Sequence, residues 1–312
     1  MTNKRTAFLF PGQGAQYPGM GKDLYEHYAA ARAVFEEADD LLEKNLSKII
    51  FEGPEAELTA THRSQLAIYV TSIAAWKVLE EAFPSLNPEV CAGLSLGEYT
   101  ALTASKRLPF DEGIFLVKER GELMGRACEE ITGSMAVIMG LDGEEVEKMV
   151  EDLNLPNDLW TANFNCPKQV VISGTIKGIQ AGIEEAKKRG AKQTAPLKVH
   201  GAFHSGLMKS AEEKLKPTIA KTALRPSEIK LVMNVPGDFV EEAAAIKAHL
   251  ADQVTHPVRW EKGIRAMERE GIEAFIEIGC GKTLSGMLKR MKLDAVNVEN
   301  SRDLKKLEEL TG

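Results

Sequence analysis

The stretch Val90-Cys91-Ala92-Gly93-Leu94-Ser95-Leu96-Gly97-Glu98-Tyr99 decides how the rest of the chain is read. It reads as a short buried strand, a sharp turn and the start of a helix. Gly93, Ser95 and Gly97 match G-x-S-x-G, the nucleophile elbow. The chemistry needs this spacing. A serine on a tight strand-to-helix turn is exposed and its backbone strained, and small residues two positions to either side let strand and helix approach closely. The new helix also aims its free N–H groups and positive dipole end at the serine, where an oxyanion would develop.

Upstream, Thr6 to Phe10 reads as a buried strand running into Pro11-Gly12-Gln13-Gly14-Ala15-Gln16. The glycines of that loop free the backbone to approach a ligand and to bring an N–H to a reaction centre. It is not a dinucleotide fingerprint, because position 17 is Tyr17 where G-x-G-x-x-G needs glycine. Asp23 to Lys44 has helical periodicity with many charges and is expected as a surface helix. Ser64 to Phe83 is a longer helix, apolar on most faces and buried, with Gln65 at its start as a helix-end hydrogen bonder or as part of a site. Below the elbow, the helix Phe110 to Cys128 carries Arg120 beside Phe115, Leu116, Leu123 and Met124. An arginine there is either a solvated face residue or a buried cation that requires an anionic partner.

From Gly133 the pattern changes. Ser134 to Gly140 reads as a strand, Glu144 to Leu153 as an amphipathic helix, and Leu159 to Asn163 and Gln169 to Ser173 as strands with a turn at Cys166-Pro167. Lys177 to Arg189 is a second helix and Gln193 to Val199 another strand. That is β-α-β-β-α-β, the ferredoxin-like order, expected as a small subdomain at 133–198 inserted into a large α/β catalytic subdomain of residues 1–132 and 199–312. Beyond it follow a strand Leu231 to Val235, helices Ala243 to Gln253 and Val258 to Arg269, and a strand Ala274 to Ile278. Gly279-Cys280-Gly281-Lys282-Thr283 then opens a helix; it is no Walker A loop, since position 276 is Ile276. The elements around the insertion predict a mostly parallel sheet with helices on both faces.

Composition narrows the function classes. The 312 residues are 44% hydrophobic and 27% charged, with a net charge of -7, which argues against a general nucleic-acid binder. Cys91, Cys128, Cys166 and Cys280 are scattered without a C-x-x-C pair, so neither a zinc site nor a disulfide framework is expected, and a reducing cytoplasm fits. After Met1-Thr2-Asn3-Lys4-Arg5 the apolar run Ala7 to Phe10 is too short for a signal peptide, and no stretch approaches a membrane span.

A serine nucleophile needs a base, most often histidine. His27, His62, His249 and His256 lie in unremarkable polar surroundings. His200 and His204 lie in Val199-His200-Gly201-Ala202-Phe203-His204-Ser205-Gly206, which leaves the small subdomain and re-enters the large one, where a cleft would form. Spacing alone does not choose between these two. No aspartate stands out as a third member, so an unidentified carboxylate or a backbone carbonyl would hold the imidazole tautomer.

Taken together, Phe10-Pro11-Gly12-Gln13-Gly14, the elbow through Glu98, Arg120-Gly121, Asn163-Phe164-Asn165 with Gln169 to Gly174, Gly201 to Ser205, Pro257-Val258-Arg259-Trp260 and Glu277-Ile278-Gly279 occur in the order of a known family. The chain resembles the malonyl-CoA:acyl-carrier-protein transacylases of bacterial fatty-acid synthesis over nearly its whole length. The resemblance implies an α/β-hydrolase-like large subdomain with the ferredoxin-like insertion. It implies Ser95 as the nucleophile that takes the malonyl group, His204 as base and the carbonyl of Gln253 as the group orienting it. Arg120 would pair with the malonyl carboxylate through two parallel hydrogen bonds. The N–H groups of Gln13 and Leu96 would form the oxyanion hole, and Gln65, Asn163 and Phe203 would contact the acyl group, Phe203 disfavouring a methyl branch.

Three positions depart from the family pattern: Leu94 where histidine is usual, His200 where a small residue is frequent, and Cys280 in place of proline. Leu94 bears on acyl or thioester binding, His200 would be a second titrating group or a surface side chain, and Cys280 is expected to matter little. Implied partners are malonyl-CoA and acyl carrier protein, with no cofactor, metal, nucleic acid or membrane, and a monomer in the cytoplasm. The carrier protein, expected to be acidic, would dock on Lys187, Lys188, Arg189 and Lys192 or on Lys282, Lys289, Arg290 and Lys292, each of which reads equally as a solvated helix face. The competing readings are a serine hydrolase or thioesterase with the same elbow, and a non-catalytic carrier-binding module.

Overall fold

A computed structural model describes residues 4–311; Met1, Thr2 and Asn3, which open the stretch read for an export signal, lie outside the described residues. In chain order the strands are β1 (Thr6–Phe10), β2 (Val90–Gly93), β3 (Gly133–Met139), β4 (Leu159–Cys166), β5 (Gln169–Thr175), β6 (Gln193–Pro196), β7 (Lys230–Met233), β8 (Asp238–Phe239), β9 (Ala274–Ile278) and β10 (Ala295–Val298). They form a six-stranded sheet of order β10-β9-β1-β2-β7-β8 and a four-stranded sheet of order β4-β5-β3-β6.

In the large sheet every pair is parallel except the β7–β8 hairpin at one edge. The strands β1, β2 and β9 are buried at every position, as strands covered by helices on both faces must be. One flanking layer holds the helices Thr61–Ala82 and Phe110–Glu130, packed against each other. Tyr69 of the first lies flat on Phe110, centroids 5.7 Å apart, and satisfies its buried hydroxyl on Thr103 at 2.8 Å. In the small sheet all pairs are antiparallel, and the helices Gly143–Leu153 and Ile176–Lys188 pack on one another over a separate apolar cluster. This is the ferredoxin-like topology anticipated, within an α/β architecture.

Several boundaries differ from the sequence reading. The helix expected from Asp23 to Lys44 is two, Lys22–His27 and Ala29–Leu42, because Tyr28 is extended at φ -126° and ψ 125°. The break lets Tyr25 meet the edge of Phe35, centroids 5.9 Å apart. On one unbroken helix ten residues span about 15 Å, and that contact would be impossible. The helix expected from Val258 starts at Trp260, since Val258 is used as a bridge to the small sheet: its N–H donates to Ala162 O and its carbonyl accepts from Phe164 N–H, each at 2.8 Å. The strand expected to reach Val199 stops at Pro196, and Leu197 and Val199 turn into a cleft between the sheets. Among the described residues no helix is long and apolar enough to cross a membrane.

Candidate active site

Ser95 sits between the last residue of β2 and the helix Gly97–Ala104, with φ +52°. That left-handed conformation is uncommon for a residue with a Cβ and is held only by strong surroundings. A Cβ on Gly93 would lie 1.9 Å from the Gly97 carbonyl, and one on Gly97 would lie 2.2 Å from Phe10 O. The elbow is therefore possible only with hydrogen at both positions. Asn234, just past β7, clamps the turn: its Oδ1 accepts from Ser95 N–H at 2.6 Å and its Nδ2 donates to Gly93 O at 2.7 Å.

His204 also has a positive φ, +59°, and its Nε2 lies 2.9 Å from Ser95 Oγ. Its Nδ1 donates to Gln253 O at 2.7 Å. A carbonyl can only accept, so this bond fixes the proton on Nδ1 and leaves the Nε2 lone pair facing the serine. Burial pushes the imidazole down to about 4, the Arg120 charge adds to the effect, and the Gln253 carbonyl opposes it. The ring is thus neutral near pH 7. His200, which spacing could not separate from His204, is exposed and lies apart from the cleft wall.

Arg120 is buried, at 1% exposure, on the helix Phe110–Glu130. Its Nη1 donates to Gln65 Oε1 at 2.6 Å, and its Nη2 donates to Gln253 Oε1 at 2.8 Å and to Ser95 Oγ at 3.1 Å. All three acceptors are neutral, and among the described residues its Nε has no partner. The guanidinium also lies over the Tyr99 ring, 5.3 Å from the centroid. Burial lowers its pKa, with Tyr99 and Glu98 opposing. A buried cation whose direct hydrogen bonds all go to neutral oxygens, with the Glu98 carboxyl beyond Gln253, faces the nucleophile without an ion-pair partner of its own.

The cleft beside Ser95 has a volume of about 300 Å³. Gln13, Leu94, Asn163, Phe203, Met124 and Leu197 are among its walls. Leu96 N–H opens the helix after the serine, and among the described residues neither it nor Gln13 N–H donates to a protein acceptor. Both are thus free to serve an oxyanion. Gln65 differs from its expected place: it is fully buried behind Arg120, between that guanidinium and Met124, and not on the cleft wall. Leu94 is on the wall, and Cys280 is fully buried.

Sequence reasoning missed Asn234 and gave Glu98 no part. The signals were available: a polar residue at the carboxyl end of an apolar parallel strand, where open α/β sheets place ligands, and a carboxylate in an otherwise uncharged helix. Among the described residues no group of three or more His, Cys, Asp or Glu is placed to hold a metal.

Residues 7–302 match the family described as acyl transferase domain. The chain is 45% identical over 288 residues to malonyl CoA-acyl carrier protein transacylase of Bacillus subtilis, covering 92% of this chain and 90% of that one. It is 37% identical over 308 residues to the Haemophilus influenzae protein of the same name, covering 98% and 99%. Among solved structures, a malonyl-transacylase in complex with its type II PKS acyl-carrier protein superimposes with a TM-score of 0.94 at 35% identity, over 98% of this chain and 99% of that one. An acyl carrier protein S-malonyltransferase from Vibrio cholerae gives 0.92 at 36% identity, over 97% and 99%.

Proposed function

The chain belongs to the acyl transferase domain family, alongside malonyl CoA-acyl carrier protein transacylases, and on that premise we propose that it moves a malonyl group from malonyl-CoA to the phosphopantetheine thiol of acyl carrier protein through a malonyl ester of Ser95. His204 Nε2 takes the Ser95 proton as Oγ attacks the thioester carbonyl. The tetrahedral oxyanion is held by the N–H groups of Gln13 and Leu96, each such donor contributing a few kcal/mol. The imidazolium then protonates the departing CoA sulfur. The carrier thiol enters, gives its proton to His204 and attacks the ester; the Ser95 C–O bond breaks as the imidazolium returns the proton to Oγ, and the carrier leaves with the malonyl group.

The observation that carries this reading is the buried Arg120, whose Nη2 lies 3.1 Å from Ser95 Oγ. In a malonyl ester the free carboxylate is two bonds from the carbonyl carbon, so it falls within reach of that guanidinium. The carboxylate would take over donors now spent on neutral oxygens and complete an ion pair. A hydrolase for uncharged esters has no use for such a cation. In Arg120→Ala, kcat/KM for malonyl-CoA should fall about 100-fold, as two charge-assisted hydrogen bonds would require, while acetyl-CoA use changes less than fivefold. Equal losses for both thioesters would remove Arg120 from this role.

Asn163 and Phe203 are proposed to line the acyl end of the cleft, Gln65 to hold Arg120 in place, and the carbonyl of Gln253 to orient His204. Residues 133–198 are read as one subdomain and the remainder as the other, with the cleft between them keeping water from the ester. The enzyme is further proposed to act as a monomer in the cytoplasm, which light scattering of the purified protein and fractionation of the cell would check.

A further inference from the structure

Glu98 lies in the first turn of the helix Gly97–Ala104 at 1% exposure, and the reaction as written makes no use of it. Its Oε1 accepts from the backbone N–H of Asn234, and its Oε2 accepts from Nε2 of Gln253. Each of these partners reaches the reacting groups. Asn234 grips Ser95 N–H and Gly93 O. Gln253 donates from Nε2 to Ser95 O at 2.9 Å, accepts Arg120 on Oε1 and accepts His204 Nδ1–H on its backbone oxygen.

Resting on the transferase reading, we propose that Glu98 is a positioning residue: one carboxylate braces the turn that carries Ser95 and fixes the orientation of the Gln253 side chain that joins Ser95, His204 and Arg120. The orientation follows from donor and acceptor types. A carboxylate only accepts and a guanidinium only donates. A glutamine amide between them has a single arrangement, NH2 toward Glu98 and oxygen toward Arg120. Without the carboxylate the amide is free to turn over and present NH2 to the guanidinium, which would drive the two apart. Both Glu98 oxygens accept from N–H groups, so only the ionised form satisfies the pair. The charged and titratable groups facing it are Arg120 and Tyr99, with His204 beyond Gln253. Burial raises the carboxyl to about 8 even against the pull of Asn234 N–H, Arg120 and Gln253, so the anion this geometry requires gains population as pH rises. The helix N-terminus further favours the anion.

The test is a double-mutant cycle between Glu98→Gln and Gln253→Met, in the full chain, at a temperature below the melting point of every variant. Gln253→Met keeps the backbone carbonyl that holds His204. The first readout is the rate at which diethyl p-nitrophenyl phosphate labels Ser95. This probe has no carboxylate and reports the serine and histidine alone, so it works whether or not malonyl is the substrate. The second is kcat and KM for malonyl-CoA. Each single variant should slow labelling and kcat tenfold or more with KM within threefold, and the double variant should lose no more than the worse single one. Labelling within twofold of the parent in a folded Glu98→Gln protein would overturn the proposal. So would losses that multiply in the double variant, or a loss confined to KM for malonyl-CoA. If Glu98→Gln melts too low, Glu98→Asp, too short by one methylene to reach both donors, replaces it in the same cycle with the same expectations.

Discussion

His204 can accept a proton at the nucleophile only if it arrives neutral, and its burial arranges that. With the folded pKa pushed down to about 4, serine acylation should show no His204 step near pH 6.5 and should fall as pH approaches 4; an acylation rate that halves near pH 6.5 would contradict it. The same shift bears on stability. The unfolded chain binds a proton on this histidine near pH 6.5 and the folded chain does not until about 4. Stability from this group is therefore present above pH 6.5 and lost as pH falls toward 4, on the order of 3 kcal/mol in all. Denaturant melts of the parent and of His204→Gln at pH 7 and pH 4.5 should show the parent losing more between the two. Phe203, on the cleft wall, is the residue proposed to exclude a methyl branch. Phe203→Ser should raise the ratio of methylmalonyl-CoA to malonyl-CoA use about tenfold, since the ring's volume is what is removed. An unchanged ratio would take the selecting role away from Phe203.

At the scale of the element, the strand-turn-helix around Ser95 is the most tightly specified part of the fold. Gly97→Ala would set a Cβ 2.2 Å from Phe10 O, with backbone on both sides and no flexible side chain to yield. It should destabilise the protein by about 3 kcal/mol or more and abolish serine labelling; a folded, active variant would mean the elbow is looser than described. This element was legible in the sequence because glycine is the one residue whose placement reports backbone proximity. Arg120 reads from its apolar neighbours either as a solvated face residue or as a cation seeking an anion, and its burial in the structure decides for the second. Other elements were not legible. The helix Lys209–Lys221, with Pro217 in its interior, has no counterpart in the sequence reading. The break at Tyr28 brings Tyr25 onto Phe35 and Phe51, neither adjacent in sequence. Gln65 was seen as polar within an apolar run, yet whether it faced the cleft or Arg120 depended on how two helices cross. Asn234 meets Ser95, and the Glu98 carboxyl meets Asn234 and Gln253, only through long-range closure of the sheet, so the sequence marks these residues as unusual without saying what they touch.

At the scale of the molecule, two sheets of different topology meet at a cleft, and the nucleophile rises from the larger one. The small sheet's order could be read from its alternation of elements, because each strand and helix buries its own face in a compact local cluster. The order of the large sheet could not, since β1 pairs with β2 and with β9, more than two hundred residues downstream. The two basic clusters also separate only in three dimensions. In the first, Arg189 is paired with Asp152 and Glu185, and Lys188 with Glu185. In the second, Lys282, Lys289, Arg290 and Lys292 are exposed and without ion pairs among the described residues, on and beside the helix Thr283–Arg290 whose Thr283 and Met287 line the cleft. In a chain of net charge -7 that unpaired patch at the mouth is the one we propose as the dock for an acidic carrier. Lys289→Glu with Arg290→Glu should raise KM for acyl carrier protein about tenfold with kcat nearly unchanged, and the effect should shrink in high salt. An unchanged KM would discard this face. The central claim is a malonyl group carried on Ser95 from one thiol to another, and intact mass of the protein tests it most directly. After brief mixing with malonyl-CoA the protein should gain one malonyl group, lose it to added holo carrier protein within the same time, and gain none as Ser95→Ala. An adduct that passes to water as fast as to the carrier, or forms equally in Ser95→Ala, would contradict the account.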